Sequence, residues 1–324
     1  MKKKMLIKEL FNNSSLPQLE LRILLAFLLK KSPEFILSHP ETKISVFIYK
    51  KFKILEKKRL ENWPIAYLTG EKEFYNLNLK ITPAVLTPRP ETELIIDEII
   101  ENITNYSKND SENSLKNNSK NNSEKDFNFK NILIIDLGTG SGAIIISLAY
   151  ELRNHFPLIF KNTKFTAVDI SATALKIAKQ NAKKYQLSNK IKFYLGNLLD
   201  PFTKNALITS NKHTGNEIII SANLPYLNPS QIKKSPSISK EPRLALDGGK
   251  DGLKYYRKLF ISLQDLQNKY LAINNKFKLW LYCEIDPGQA IKTKNLALKY
   301  LPQAKQSFRR DLSGRNRLFI IKII

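Results

Sequence analysis

Apolar residues near the start of the chain recur at intervals of one helical turn. Leu16 to Leu29 is rich in leucine at that spacing, Pro33 opens a further short turn, and Ile44 to Leu60 sets an apolar face against Lys and Arg. Residues 1–70 therefore read as a small helical domain. Phe74 to Val85 alternates apolar and polar positions around Asn76 and Asn78, the pattern of a short hairpin. Residues 91–104 return to an amphipathic helical pattern, so 71–104 read as a hairpin with a connecting helix. Residues 105–126 are almost purely Asn, Ser, Lys, Asp and Glu. Such a stretch cannot bury enough apolar area to offset its ordering entropy, so a flexible insertion is expected there. A weaker insertion is expected at 203–216.

From residue 131 the pattern alternates. Apolar runs at Asn131–Asp136, Lys164–Asp169, Ile191–Leu195, Glu217–Ala222 and Phe277–Glu284 read as strands. Helical patterns at Gly142–Arg153, Ala172–Tyr185, near 252–270 and near 286–299 lie between or after them, and two strands close the chain. This alternation predicts an α/β domain over 127–324, a mostly parallel sheet with helices on both faces. Ligands in such sheets bind beyond the carboxyl ends of the strands, so chemistry is expected there.

Composition narrows the classes. The chain of 324 residues has 53 Lys and Arg, 29 Asp and Glu, and a net charge of +24. A basic surface suits RNA or an acidic protein. Residues 1–80 hold 16 Lys and Arg against 8 Asp and Glu, close to the chain average, so no segment stands out as a nucleic-acid arm. Direct nucleic-acid binding is not expected, and the charge reads as compositional. The single cysteine, Cys283, forms no intrachain disulfide and suits a reducing, cytoplasmic setting. His39, His155 and His213 are scattered, so no metal is expected. No apolar run approaches a membrane span, and charged Lys8 and Glu9 interrupt any continuation of the basic start, so neither membrane nor export signal is expected. A monomer is expected.

Four motifs fall at the expected strand ends. Asp136-Leu137-Gly138-Thr139-Gly140-Ser141-Gly142 follows a strand and opens a helix. Its glycines permit close backbone approach, and the helix N-terminus offers free N–H donors to an anionic group. It lacks the glycine spacing of a dinucleotide site and resembles the first motif of S-adenosylmethionine-dependent methyltransferases. Asp169 ends the next strand, where a carboxylate can accept both hydroxyls of a ribose. Ser171 is then left to cap the following helix. Asn197 and Leu198 follow the third strand, where side chains would flank an adenine. Ala222-Asn223-Leu224-Pro225-Tyr226 follows the fourth, and resembles the Asn-Pro-Pro-Tyr motif of methyltransferases acting on planar amino or amide nitrogens. An amide nitrogen is a poor nucleophile because its lone pair is delocalised. The Asn223 oxygen and the carbonyl of Leu224 can each accept one of its N–H groups, which aims the nitrogen at a methyl donor. Pro225 stiffens the loop, and Tyr226 can lay its ring on the flat amide.

The whole constellation resembles the HemK/PrmC-type protein-glutamine methyltransferases over nearly the full chain. The matching segments are Pro64–Gly70, Glu73-Phe74-Tyr75, Leu86-Thr87-Pro88-Arg89-Pro90-Glu91-Thr92-Glu93, Asp136–Gly142, Asn223–Tyr226, Glu241–Leu246 with Gly248-Gly249, and Asp311–Arg315. The resemblance implies a Rossmann-like class I methyltransferase sheet with a small helical N-terminal domain that recognises a class I peptide chain release factor. It implies S-adenosyl-L-methionine as methyl donor and the glutamine of a Gly-Gly-Gln tripeptide as target. It also places the segment around Arg89 and Glu91 beside the active site, as candidates for shaping the substrate site. Leu224 departs from the family's usual proline. The carbonyl acceptor survives, and a Leu224→Pro change is expected to be tolerated. Two other substrates share the motifs: a glutamine of a ribosomal protein, and an adenine amino group in nucleic acid, which would demand base flipping and a reading domain not visible here.

Overall fold

The structure, a computed structural model, describes residues 5–116, 131–204, 217–272 and 278–323, with the backbone alone at 106–116, 203–204 and 270–272. Helices Ile7–Asn13, Gln18–Leu29, Pro33–Ser38, Val46–Leu60 and Ile65–Thr69 make up the N-terminal domain. Ser32 and Ser45 cap two of them, each accepting the backbone N–H three residues on at 3.2 Å. The leucines at turn spacing meet in one core, where Leu21, Leu24, Leu25, Ile36 and Phe52 are buried. Arg59 grips Glu20 through two hydrogen bonds of 2.7 Å, tying the two longest helices. A short antiparallel pair, β1 (Met5–Leu6) and β2 (Lys43–Ile44), ties the start of this domain to the segment before the helix Val46–Leu60, a feature absent from the helical expectation.

The hairpin lies earlier than the apolar alternation implies. Strands β3 (Glu71–Phe74) and β4 (Leu77–Lys80) pair across Tyr75 and Asn76, both at positive φ. Two such residues make the tight turn whose twist matches paired strands. Residues 82–88 leave the hairpin as loop and pass toward the active site. The next helix follows a short turn at Pro90–Thr92 and spans Glu93–Lys116, so it enters the segment expected to be a flexible insertion. Buried Ile95, Ile96, Ile99 and Ile103 anchor its first turns on the core. Residues 117–126 of that insertion, and 205–216 of the second, lie outside the described residues.

Seven strands form the central sheet: β5 (Ile132–Leu137), β6 (Thr163–Asp169), β7 (Ile191–Leu195), β8 (Glu217–Ala222), β9 (Lys278–Glu284), β10 (Lys305–Arg310) and β11 (Asn316–Ile323). Their order is β10-β11-β9-β8-β5-β6-β7. β5 to β9 run parallel, and β11 and β10 close the edge antiparallel. Every residue of β5 and β8 is buried, because both faces are covered. Alternate residues feed opposite cores: Ile134 joins the helices Glu93–Lys116 and Ala143–His155, while Ile135 joins Lys254–Ala272 and Ala290–Tyr300. The chain winds outward in both directions from β5. Its reversal between β5 and β8 leaves a crevice at their carboxyl ends, and this is the class I methyltransferase arrangement.

Candidate active site

The crevice holds a cavity of about 340 Å³ lined by all the expected strand ends. Gly138, Gly140 and Gly142 all take positive φ, which glycine alone adopts freely. At Gly142 a Cβ would also meet Ile146 Cδ1 at 2.6 Å. The loop is held from beneath. Asp136 is buried and accepts hydrogen bonds from Thr139 Oγ1 at 2.7 Å and Ser221 Oγ at 2.8 Å. Asp169 accepts from the backbone N–H of Gly140 and of Ser171, each at 2.8 Å. Ser171 caps the helix Ala172–Lys184 through its own side chain, so Asp169 is not the cap. Asn181, on that helix, donates to the Ser141 carbonyl at 2.9 Å and brackets the Lys80 backbone.

The Asn223–Tyr226 loop forms the opposite wall. The β8–β9 register pairs Ala222 with Cys283, so Asn223 and Glu284 lie side by side. Asn223 Nδ2 donates to Glu284 Oε2 at 2.9 Å and to Thr92 Oγ1 at 3.1 Å. Thr92 donates to Glu284 Oε2 at 2.5 Å, and the Tyr226 hydroxyl donates to Glu284 Oε1 at 2.9 Å. Gln289 Nε2 holds the Tyr226 carbonyl at 2.8 Å. Burial raises the Glu284 carboxyl above its ordinary range, while the hydrogen bonds from Thr92 and Tyr226 and the nearby Arg317 charge oppose the shift. Burial and the neighbouring Glu284 hold the Tyr226 hydroxyl protonated far above its ordinary range.

Of the expected cofactor residues, Gly138, Thr139, Gly140, Ser141, Asp169, Asn197, Leu198 and Asn223 line the cavity. Leu198 does so from positive φ. Asp136 does not: its two oxygens serve Thr139 and Ser221, and only 1% of it is exposed. It supports the loop from behind. Gly142 likewise sits at the helix entrance, buried outside the lining. Leu224 and Pro225 line the cavity, whereas Tyr226 turns its hydroxyl to Glu284 and does not. Arg89 pairs with buried Glu241 at 2.7 Å and borders a separate groove of about 1220 Å³ against the N-terminal helices. Glu91 is exposed and lines neither. Ala84 to Leu86, Pro88 and Thr92 line the cavity from the segment between hairpin and helix.

Residues 6–70 match the family described as the PrmC N-terminal domain, and residues 128–232 match a methyltransferase domain. A release factor glutamine methyltransferase of Coxiella burnetii is 33% identical over 315 residues, covering 97% of this chain and 95% of that protein. One from Dictyoglomus turgidum is 33% identical over 320 residues, covering 98% and 94%. One from Bacillus anthracis is 30% identical over 299 residues, covering 91% and 86%.

The chain belongs to the release factor glutamine methyltransferase family.

A release factor glutamine methyltransferase of this kind needs S-adenosylmethionine, and the cavity suits it. Gly138 and Gly140, both at positive φ, open backbone space on the cavity, and Asp169 supplies a carboxylate to its lining. The Leu224 side chain has a use of its own here. It is 3% exposed in the core on that face of the sheet, in one cluster with buried Tyr256. Proline keeps the carbonyl but removes the N–H and empties part of this core. Leu224→Pro is therefore expected to fold less stably by about 1–3 kcal/mol while its folded fraction turns over normally. Urea denaturation beside a rate normalised to folded protein checks both halves, and an inactive variant of full stability would contradict them.

Burial raises the Asp136 carboxyl from its ordinary 3.8 to about 7, despite its two hydroxyl donors. The folded protein thus holds a proton there that the unfolded chain has released. Its contribution to stability is complete below about pH 4 and is lost as pH rises through about 7. Asp136→Asn carries no charge at any pH. Its unfolding free energy relative to the wild type should climb between about pH 4 and about pH 7. A flat difference across that range in paired denaturation curves would show that Asp136 is ionised throughout.

Proposed function

We infer that this protein transfers a methyl group from S-adenosyl-L-methionine to the side-chain amide nitrogen of a glutamine in a peptide chain release factor. The target is the glutamine of the Gly-Gly-Gln tripeptide of class I release factors, and the setting is the cytoplasm. The observation that carries the amide chemistry is the placement of Asn223. Its NH₂ group is spent on Glu284 and Thr92, so Oδ1 is the atom left to face the cavity.

The cofactor supplies a methyl group made electrophilic by a sulfonium. Gly138 to Ser141, Asp169, Asn197 and Leu198 are the residues that would hold it. Asn223 Oδ1 accepts one N–H of the glutamine amide, and the Leu224 carbonyl accepts the other. The two bonds fix the amide plane and direct its nitrogen toward the methyl, which is catalysis by positioning. Leu224 and Pro225 shape a dry wall around it. The methylated amide still carries its extra proton and is strongly acidic, so water can take it and no general base is required. Arg89 and the larger groove lie between this cavity and the N-terminal helices, where the rest of a protein substrate would rest.

The reading is tested by offering labelled S-adenosylmethionine with release factor, ribosomal proteins or duplex DNA in parallel. Label should enter the release factor alone. Transfer to ribosomal protein or to DNA, with the release factor untouched, would overturn it.

A further inference from the structure

We propose that Glu284 is the positioning residue that decides which way the Asn223 amide faces. The inference rests on the role given to Asn223 above and adds a reason why that side chain has one orientation. Glu284 is 1% exposed at the end of β9, where burying a carboxylate is costly. A buried carboxylate is weak evidence of a gain in stability, so its place here points to a second reason.

The hydrogen bonds supply one. Three donors converge on this carboxylate, from Thr92, Asn223 and Tyr226. They come from two separate segments: the loop before the helix Glu93–Lys116, and the loop after β8. A carboxylate only accepts. Thr92 has a single hydroxyl hydrogen and spends it on Glu284, so toward Asn223 it can only accept as well. Both neighbours of the Asn223 amide group are therefore acceptors, at 2.9 and 3.1 Å. Only NH₂ satisfies both. A flipped amide would set its carbonyl oxygen against a buried carboxylate and forfeit both of these hydrogen bonds. Glu284 thus keeps Oδ1 on the cavity side.

Two near-isosteric variants separate reach from charge. Glu284→Asp keeps the charge and withdraws it by one methylene. Glu284→Gln keeps the reach and one acceptor oxygen for Asn223 and Thr92, and the Tyr226 hydroxyl can turn to accept from its amide. Glu284→Asp should lose at least about 30-fold in kcat, as a misplacement near 1 Å can cost about 100-fold. Its calorimetric affinity for S-adenosylmethionine should stay within about threefold, because positioning of Asn223 is not a cofactor contact in this scheme. Glu284→Gln should keep its rate within about tenfold of wild type.

The same changes are then made in the Asn223→Ala background. There, neither Glu284 variant should slow the residual rate further, because the residue through which Glu284 acts is gone. Wild-type kcat in Glu284→Asp, a loss confined to cofactor affinity, or full additivity with Asn223→Ala would each overturn the proposal. If Glu284→Asp does not fold, Glu284→Leu, which offers Asn223 no acceptor, takes its place: its loss in kcat must reach at least about 30-fold and must vanish in the Asn223→Ala background. A near-normal rate for Asn223→Ala itself marks failure of the underlying reading of Asn223 instead.

Discussion

Asn223→Ala should lose methyl transfer by about 100–1,000-fold while still binding S-adenosylmethionine, the usual loss when one preorganised partner of a reacting group is removed. The side chain makes two hydrogen bonds inside the protein through Nδ2, and the proposed mechanism uses Oδ1 for the substrate. Alanine keeps the loop's backbone, so the Leu224 carbonyl remains as an acceptor. What disappears is the second point that fixes the amide plane. A glutamine held by one bond can rotate, and its nitrogen meets the methyl group in a small fraction of orientations. Thr92 and Glu284 lose a donor at the same time, which should lower thermal stability modestly. The measurement is single-turnover transfer with cofactor affinity determined on the same sample. A variant with near-normal single-turnover rates removes amide orientation as the catalytic device.

Asp169→Ala should weaken S-adenosylmethionine binding by about 10–100-fold, since hydrogen bonds to a charged group are worth roughly 1.5–3 kcal/mol. Its position at the end of β6 suits the ribose hydroxyls. Its present bonds add a second route to the same loss. Oδ2 holds the Gly140 N–H and Oδ1 the Ser171 N–H, so alanine also loosens the glycine loop that would carry the methionine end of the cofactor. Burial raises the Asp169 carboxyl, and the backbone donors at Ser171 and Gly140 oppose that. Affinity unchanged by calorimetry would take Asp169 out of the site.

The strands and their ends are legible where an apolar run gives way to a polar residue. Asp169 and Asn223 stood out in that way, and the structure places both on the cavity. Glu284 ends Lys278–Glu284 in the same manner, yet nothing in its local sequence marks it. Its meaning depends on the β8–β9 register, which puts it beside Asn223 from 61 positions away. Thr92 likewise carries no mark of its own in the sequence, for the same reason. The motif alone points to Asp136 as a cofactor contact, whereas it lies beneath the loop and outside the cavity lining. Its partners Thr139 and Ser221 come from two elements, and their convergence beneath the loop is a tertiary fact. Asn181 sits mid-helix and looks like a solvated position, whereas it is buried against Ser141 and Lys80. The hairpin was displaced because its turn uses Tyr75 and Asn76 at positive φ, without the glycine that normally announces such a turn.

Tandem mass spectrometry of release factor incubated with the enzyme and S-adenosylmethionine tests the central claim most directly. One methyl group should appear on the side-chain nitrogen of the Gly-Gly-Gln glutamine, and on no other residue, in wild-type reactions and almost none with Asn223→Ala. Methylation at another residue, or an unmodified release factor beside an active enzyme, would contradict it.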